Sequence, residues 1–168
     1  MKKRLALLQM DVHVNDVEYN YNRVQELLTQ SLTENPDIIV LPETWNTGFH
    51  PSDDLITIAD RNGERTKSLL TAFAKEHNVN IVGGSVAVAK DNLVFNTSYA
   101  YNREGTLVGE YSKMHGFSPA KEDKYFASGT HTTHFELDGI PCSTVICYDI
   151  RFPELVRMAA LPGTELLF

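Results

Sequence analysis

Pro36-Asp37-Ile38-Ile39-Val40-Leu41-Pro42-Glu43-Thr44-Trp45 decides the class of fold. Asp37 to Leu41 carries an apolar run bounded by prolines, which reads as a short strand buried in a sheet. Before it, Val17, Tyr21, Val24, Leu27 and Leu28 recur at the spacing of one helix face, and Pro36 stops that helix. Leu5-Ala6-Leu7-Leu8 reads as an earlier buried strand. After it, Leu69, Leu70 and Phe73 mark a helix ending near His77-Asn78. Val79 to Val86 is a third strand, in which Gly83-Gly84 marks a bulge or a close backbone approach. Val94 to Tyr101 and Thr106 to Tyr111 flank Asn102-Arg103-Glu104-Gly105 as a hairpin. Phe135-Glu136-Leu137 and Pro141 to Cys147 form a second hairpin around Asp138-Gly139. Arg151 to Ala160 is helical, with Pro153 tolerated in the first turn. Strands alternating with helices, then hairpins, predict an α/β sandwich with mixed sheets.

The 168 residues suit one domain, 1–168, without linkers or internal repeats. A composition of 42% apolar and 22% charged residues excludes wholesale disorder and a disulfide-stapled mini-protein. The formal charge of −7, with no basic cluster, argues against nucleic acid or an anionic membrane as a partner. No apolar stretch is long enough to span a bilayer. Met1-Lys2-Lys3-Arg4 has the charge of a signal peptide, but the apolar run after it breaks at Gln9 and Asp11, so a cytoplasmic protein is expected. Cys142 and Cys147 are expected to be free thiols, because odd spacing on one strand would turn them to opposite faces. The chain stops at Glu165-Leu166-Leu167-Phe168, inside what reads as the start of a buried strand, so it is expected to be shorter than the fold it encodes.

Three segments carry candidate chemistry. Glu43 follows a buried strand at its carboxyl end, where open α/β sheets bind ligands. Taken alone, it is as readily a solvated loop carboxylate. Lys113, in Glu110-Tyr111-Ser112-Lys113-Met114-His115, follows a half-buried strand and offers a positive charge for an oxyanion; its plainer reading is a surface lysine at a strand end. Cys147, in Val145-Ile146-Cys147-Tyr148-Asp149-Ile150-Arg151-Phe152-Pro153, stands at a strand-to-helix elbow. Free N–H groups and a helix dipole there would favour a thiolate. The plainer reading is an inert buried thiol, and Cys142 is read that way. His131 and His134 have no further ligand at metal spacing. Gly83-Gly84 is not a phosphate loop, and Asp53-Asp54 reads as a solvated turn.

Together, Leu41-Pro42-Glu43, Tyr111-Ser112-Lys113-Met114-His115 and Ile146-Cys147-Tyr148-Asp149-Ile150-Arg151-Phe152-Pro153 resemble, in order, the nitrilase superfamily of carbon–nitrogen hydrolases with its Glu–Lys–Cys triad. Family chains carry a second Glu shortly after the Lys, and Glu122 matches it. The resemblance covers essentially the whole chain. Pro42-Glu43-Thr44-Trp45-Asn46-Thr47-Gly48 and Cys147 to Glu154 look most like the omega-amidase branch.

The resemblance implies an α-β-β-α sandwich, incomplete at the C-terminus because family chains continue past the helix after the nucleophile. It implies hydrolysis of the terminal carboxamide of a small acid, such as the 2-oxo acid amide 2-oxoglutaramate, to the acid and ammonia. Cys147 would form a thioester and Glu43 would act as base. Lys113 and the backbone N–H of Tyr148 would hold the oxyanion, with Glu122 orienting Lys113 or the amide. It implies no metal or organic cofactor, and a homodimer or higher homo-oligomer built partly on the helix after Cys147. Arg151, Lys121 and Lys124 are available by charge for a substrate carboxylate, and Trp45 and Phe117 for lining the pocket, but spacing fixes none of them.

Three rivals stand beside this reading. The chain is a catalytically inactive fragment, or an association partner of a nitrilase-like subunit. Alternatively, Cys147 works with His115 as a peptidase, although spacing shows no Asn or Asp to orient the histidine. Or the acyl group passes to an amine instead of water.

Overall fold

The structure is a computed structural model that describes residues 2–49 and 52–168. Among the described residues, ten strands form two sheets, accompanied by five α-helices. The large sheet contains β1 (Leu5–Leu7), β2 (Ile38–Val40), β3 (Asp60–Arg61), β4 (Asn80–Val82), β5 (Val86–Lys90), β6 (Leu93–Tyr101) and β7 (Leu107–Ser112). β1, β2 and β4 run parallel, and β6 is antiparallel to β4, β5 and β7. The small sheet contains β8 (His134–Leu137), β9 (Ile140–Ser143) and β10 (Leu166–Leu167).

Helix α1 (Val17–Ser31) starts where the Asp16 carboxylate accepts the Tyr19 N–H. Its termination differs from the expectation. A 3-10 turn over Leu32–Glu34 and the left-handed Asn35 end the helical run before Pro36 is reached. The short α2 (Leu55–Ile58) and β3 give no periodicity to read and were not foreseen. Helix α3 (Glu64–His77) ends, as expected, at a left-handed Asn78. Tyr21, Val24 and Leu28 of α1 and Leu70, Phe73 and Ala74 of α3 are buried with Ile39, Ile81, Tyr99 and Tyr101 of the sheet. The opposite face of the large sheet, through Ile38, Val82 and Ala100, meets Phe135, Leu137 and Cys142 of the small sheet. These two interfaces give the helix, sheet and sheet layers of the expected sandwich. β9 and β10 are parallel and joined through α5 (Pro153–Ala160), a crossover helix whose Leu155 and Ala159 are buried.

Two strand assignments change. β1 is not buried: Ala6 and Leu8 join the helix-side core, but Leu7 is 74% exposed because β1 is the sheet edge and no layer reaches its other face. The Val79–Val86 stretch is two strands along one edge of β6. Val82 pairs with Ala100 and Val86 with Thr97, so four steps of chain oppose three, which is a bulge centred on Gly83–Ser85. One part of the edge thereby serves β2 and the next serves β3.

Candidate active site

Glu43 leaves the carboxyl end of β2, where the bulge turns the neighbouring edge aside. Its loop is folded into the core. Thr44 has a left-handed φ of 45°, unusual for a β-branched residue, and its N–H donates to Ser85 Oγ at 3.0 Å. Trp45 is fully buried, donates Nε1–H to the Gly83 carbonyl at 2.9 Å, and meets Tyr21 edge-on. The Asn46 side chain both accepts from Ala87 N–H and donates to its carbonyl, acting as a short piece of extra strand. Gly84 makes this possible. Its φ is +56°, and a Cβ there would stand 2.0 Å from the Pro42 carbonyl oxygen. Trp45 is therefore core, not pocket lining.

Lys113 follows β7, with its N–H bonded to the Asn96 carbonyl of β6. Its side chain is 2% exposed. Nζ donates to Glu43 Oε1 at 2.8 Å and to Glu122 Oε2 at 2.9 Å. Glu122 begins the short helix α4 (Glu122–Tyr125), is fully buried, and also accepts the Phe117 N–H at 2.7 Å. Burial works against the Lys113 ammonium, but its bonds to both carboxylates prevail and hold it above its ordinary value. Asn96 Nδ2 donates to Glu43 Oε1 at 3.0 Å and to Glu122 Oε1 at 3.2 Å. Sequence reasoning missed Asn96. Its place opposite Lys113 follows from hairpin register, which the sequence pattern gives only to within a residue or two.

Strand β9 ends at Ser143, so Cys147 does not close a strand; an extended segment carries the chain to it. Cys142 and Cys147 are thus not on one strand. Both are free, Cys142 buried and Cys147 exposed. Burial pushes the Cys142 thiol up to about 11. Cys147 has a left-handed φ of 48° and opens a 3-10 turn, Cys147–Arg151. Asp149, fully buried, anchors this elbow. Its carboxylate accepts from Ile146 N–H at 3.1 Å, Tyr111 Oη at 2.7 Å and His115 N–H at 2.9 Å, and His115 Nδ1 lies 2.9 Å away. One carboxylate thus ties the thiol-bearing turn to the strand and loop around Lys113. The thiol is not favoured as a thiolate. Burial and then the charge of Glu43 raise Cys147 above its usual range, with Lys113 opposing. The five-residue 3-10 turn has no long helix dipole behind it to offset burial, and the Glu43 carboxylate acts on the sulfur as well.

Glu43 and Cys147 line one cavity of about 130 Å³, with Leu41, Gly84, Thr144 and Phe168 among its walls. Tyr148 is the second residue of the 3-10 turn, where backbone N–H groups lack an acceptor within the turn. His115 does have an orienting aspartate, contrary to expectation. Its ring is stacked on Phe152 at 3.6 Å, and the charges acting on the thiol are those of Glu43, Lys113 and Glu122. Phe117 is half-buried, edge-on to Tyr148. Arg151, Lys121 and Lys124 are exposed, and none lines this cavity. Among the described residues, no group of three His, Cys, Asp or Glu side chains is placed to hold a metal, and no helix is long and apolar enough to cross a membrane.

Residues 4–168 match the sequence model of the family described as carbon-nitrogen hydrolase. The chain is 39% identical over 168 residues to a 2-oxoglutaramate amidase of Bacillus subtilis, covering all of this chain and 64% of that protein. It is 30% identical over 178 residues to an omega-amidase of Danio rerio, covering 99% of this chain and 62% of that one. The chain therefore spans a little under two thirds of the length of these two relatives. Among solved structures, an amidase from Nesterenkonia sp. superposes with a TM-score of 0.86 at 23% identity, over 98% of this chain and 63% of that one, a likeness of fold.

Proposed function

Because the chain belongs to the carbon-nitrogen hydrolase family, we propose that it is an amidase that cleaves the terminal carboxamide of a small acid through a cysteine thioester. The observation that carries this reading is Glu43, whose carboxylate is bonded to Lys113 and shares one cavity with Cys147. A thiol held protonated needs a base beside it, and Glu43 is that base.

In this reading Glu43 takes the Cys147 proton as sulfur attacks the amide carbon. The carbonyl π electrons move to oxygen, where the Lys113 ammonium and the Tyr148 N–H receive the charge. The tetrahedral species collapses, the C–N bond breaks, and protonated Glu43 returns its proton to the departing ammonia. Water, deprotonated by Glu43, then opens the thioester to release the acid and restore the thiol. Glu122, bonded to Lys113 and to the Phe117 N–H, fixes the ammonium. The similarity to 2-oxoglutaramate amidase and to omega-amidases supports a 2-oxo acid amide as substrate. In mutants of the Nesterenkonia amidase with a glutamate replaced by Gln or Leu, acrylamide and the acetamide moiety of fluoroacetamide add at the active-site cysteine, which supports a nucleophilic thiol here. Free thiols suit a cytoplasmic setting. Ile150, Met158 and Leu161, exposed on and beside α5, support a homodimer through that face. The contacts among Glu43, Lys113 and Glu122, with Cys147 beside them, weigh against an inactive fragment.

The test is ammonia release from 2-oxoglutaramate, with acyl-enzyme followed by mass spectrometry. Cys147→Ser is expected to lose nearly all turnover, and Glu43→Gln to accumulate neither acyl-enzyme nor product. Turnover retained by Cys147→Ser would mean another nucleophile. Fast acyl-enzyme formation in Glu43→Gln would mean another base.

A further inference from the structure

Glu43 and Glu122 face one another across a single ammonium, two negative charges to one positive, in a largely dry site. Asn96 supplies what Lys113 alone does not. Its Nδ2 spans both carboxylates, at 3.0 Å from Glu43 Oε1 and 3.2 Å from Glu122 Oε1. Only the nitrogen end of an amide can donate, so these two acceptors fix which way the side chain is turned. The opposite end, Oδ1, is buried and has no hydrogen-bond partner. Asn80 Oδ1, on β4, is left in the same way, so it is the two bonds donated to carboxylates that single Asn96 out.

We infer that Asn96 is a positioning residue for the reaction proposed above: its amide, bonded to both, holds the Glu43 and Glu122 carboxylates in place about Lys113. The inference rests on that reading for the role of Glu43, and on its own geometry for the rest. The charged or titratable groups facing Glu43 are Lys113 at the end of β7, Glu122 on α4 and Cys147 on the elbow. Removing the amide lets the Glu43 carboxylate drift from Cys147; because the charge of Glu43 is one of the causes that hold the thiol up, the alkylation limb of Cys147 then moves to lower pH.

The experiment is the pH dependence of iodoacetamide alkylation at Cys147, read by peptide mass spectrometry on this chain, its Asn96→Leu variant and its Asn96→Asp variant. Buried Cys142 reports in the same sample whether the fold has opened. The alkylation limb of Cys147 is expected to fall by about one pH unit in Asn96→Leu, the low end of what a neighbouring charge contributes. It should rise in Asn96→Asp, where a third carboxylate joins the cluster, with Cys142 still slow. An unmoved limb in a variant that protects Cys142 overturns the assignment. Rapid Cys142 labelling in both variants makes Asn96 a residue of the fold and also overturns it. Labelling in one alone leaves the other to decide. Alkylation needs no amide turnover, so the outcomes separate. A shifted limb without hydrolysis of 2-oxoglutaramate would sink the substrate reading alone, and hydrolysis with an unmoved limb would sink the role of Asn96 alone.

Discussion

Two clusters in this molecule each gather two carboxylates around cations, at opposite ends of the β6–β7 hairpin. At one end Lys113 joins Glu43 and Glu122. At the other, Arg103 in the hairpin turn joins Asp37 and Asp138, and Lys3 adds a second cation to Asp138. The Arg103 guanidinium uses its fork fully: Nε and Nη2 each lie 2.7 Å from Asp138, Nη2 is 3.0 Å from Asp37, and Nη1 is 2.7 Å from the Asn78 carbonyl. Its side chain is 24% exposed, so water shares the charge. The cluster pins three turns together. Lys113 is a point charge in a dry pocket, with its partners supplemented by an asparagine and a thiol in the adjoining cavity. A cluster balanced two to two thus serves attachment, while one with a carboxylate in excess over a buried ammonium is left available for chemistry.

Breaking each cluster should separate the two. The largest effect is expected from Lys113→Met. It leaves Glu43 facing a buried Glu122 with no cation, which should cost about 3–5 kcal/mol of stability by chemical denaturation. Amide hydrolysis should fall by about 100-fold or more. Arg103→Lys keeps the charge and loses the fork, and should cost about 1–2 kcal/mol in the same denaturation with hydrolysis unchanged. If it also lowered hydrolysis, the two ends of the hairpin would be coupled. The smallest effect belongs to Asp138→Asn. Arg103 holds the Asp138 carboxyl well below the usual range, with Lys3 and Asn80 assisting and burial opposing. A depressed carboxyl contributes stability above its unfolded value, near pH 4, and loses it as pH falls further. Solvent screening keeps the expected loss to about 1 kcal/mol at pH 7. Thermal melts of both proteins should converge below about pH 4.

The sequence reaches the Lys113 cluster more surely than the Arg103 one. Glu43, Lys113, Glu122 and Cys147 each lie beside a short motif, and their order along the chain was readable. Asn96 belongs to no motif; only pairing register brings it opposite Lys113. Arg103 and Asp138 were legible as turn residues, but nothing local says that two turns meet. Helices with a clean apolar period, α1 and α3, emerged near their observed bounds. β1 was misjudged because apolar residues on an edge strand look the same in sequence whether or not a layer covers them. The direction of the Cys147 shift was misjudged for a related reason. A turn after a strand looks like a helix start, and whether a long dipole or a carboxylate faces the sulfur depends on distant segments.

The bulge at Gly83–Ser85 has a consequence for motion. Where it splits one edge between β2 and β3 it opens a notch, and residues 44–48, all buried, fill that notch with Trp45 as the plug. Catalytic loops are commonly drawn from the parts of a protein that open first. The loop bearing Glu43 is instead a piece of core: its backbone amides are tied to Ser85, and its Asn46 side chain to the backbone of Ala87, at the sheet edge. It opens when the large sheet opens and not before, so the carboxylate keeps one address for as long as the molecule stays folded.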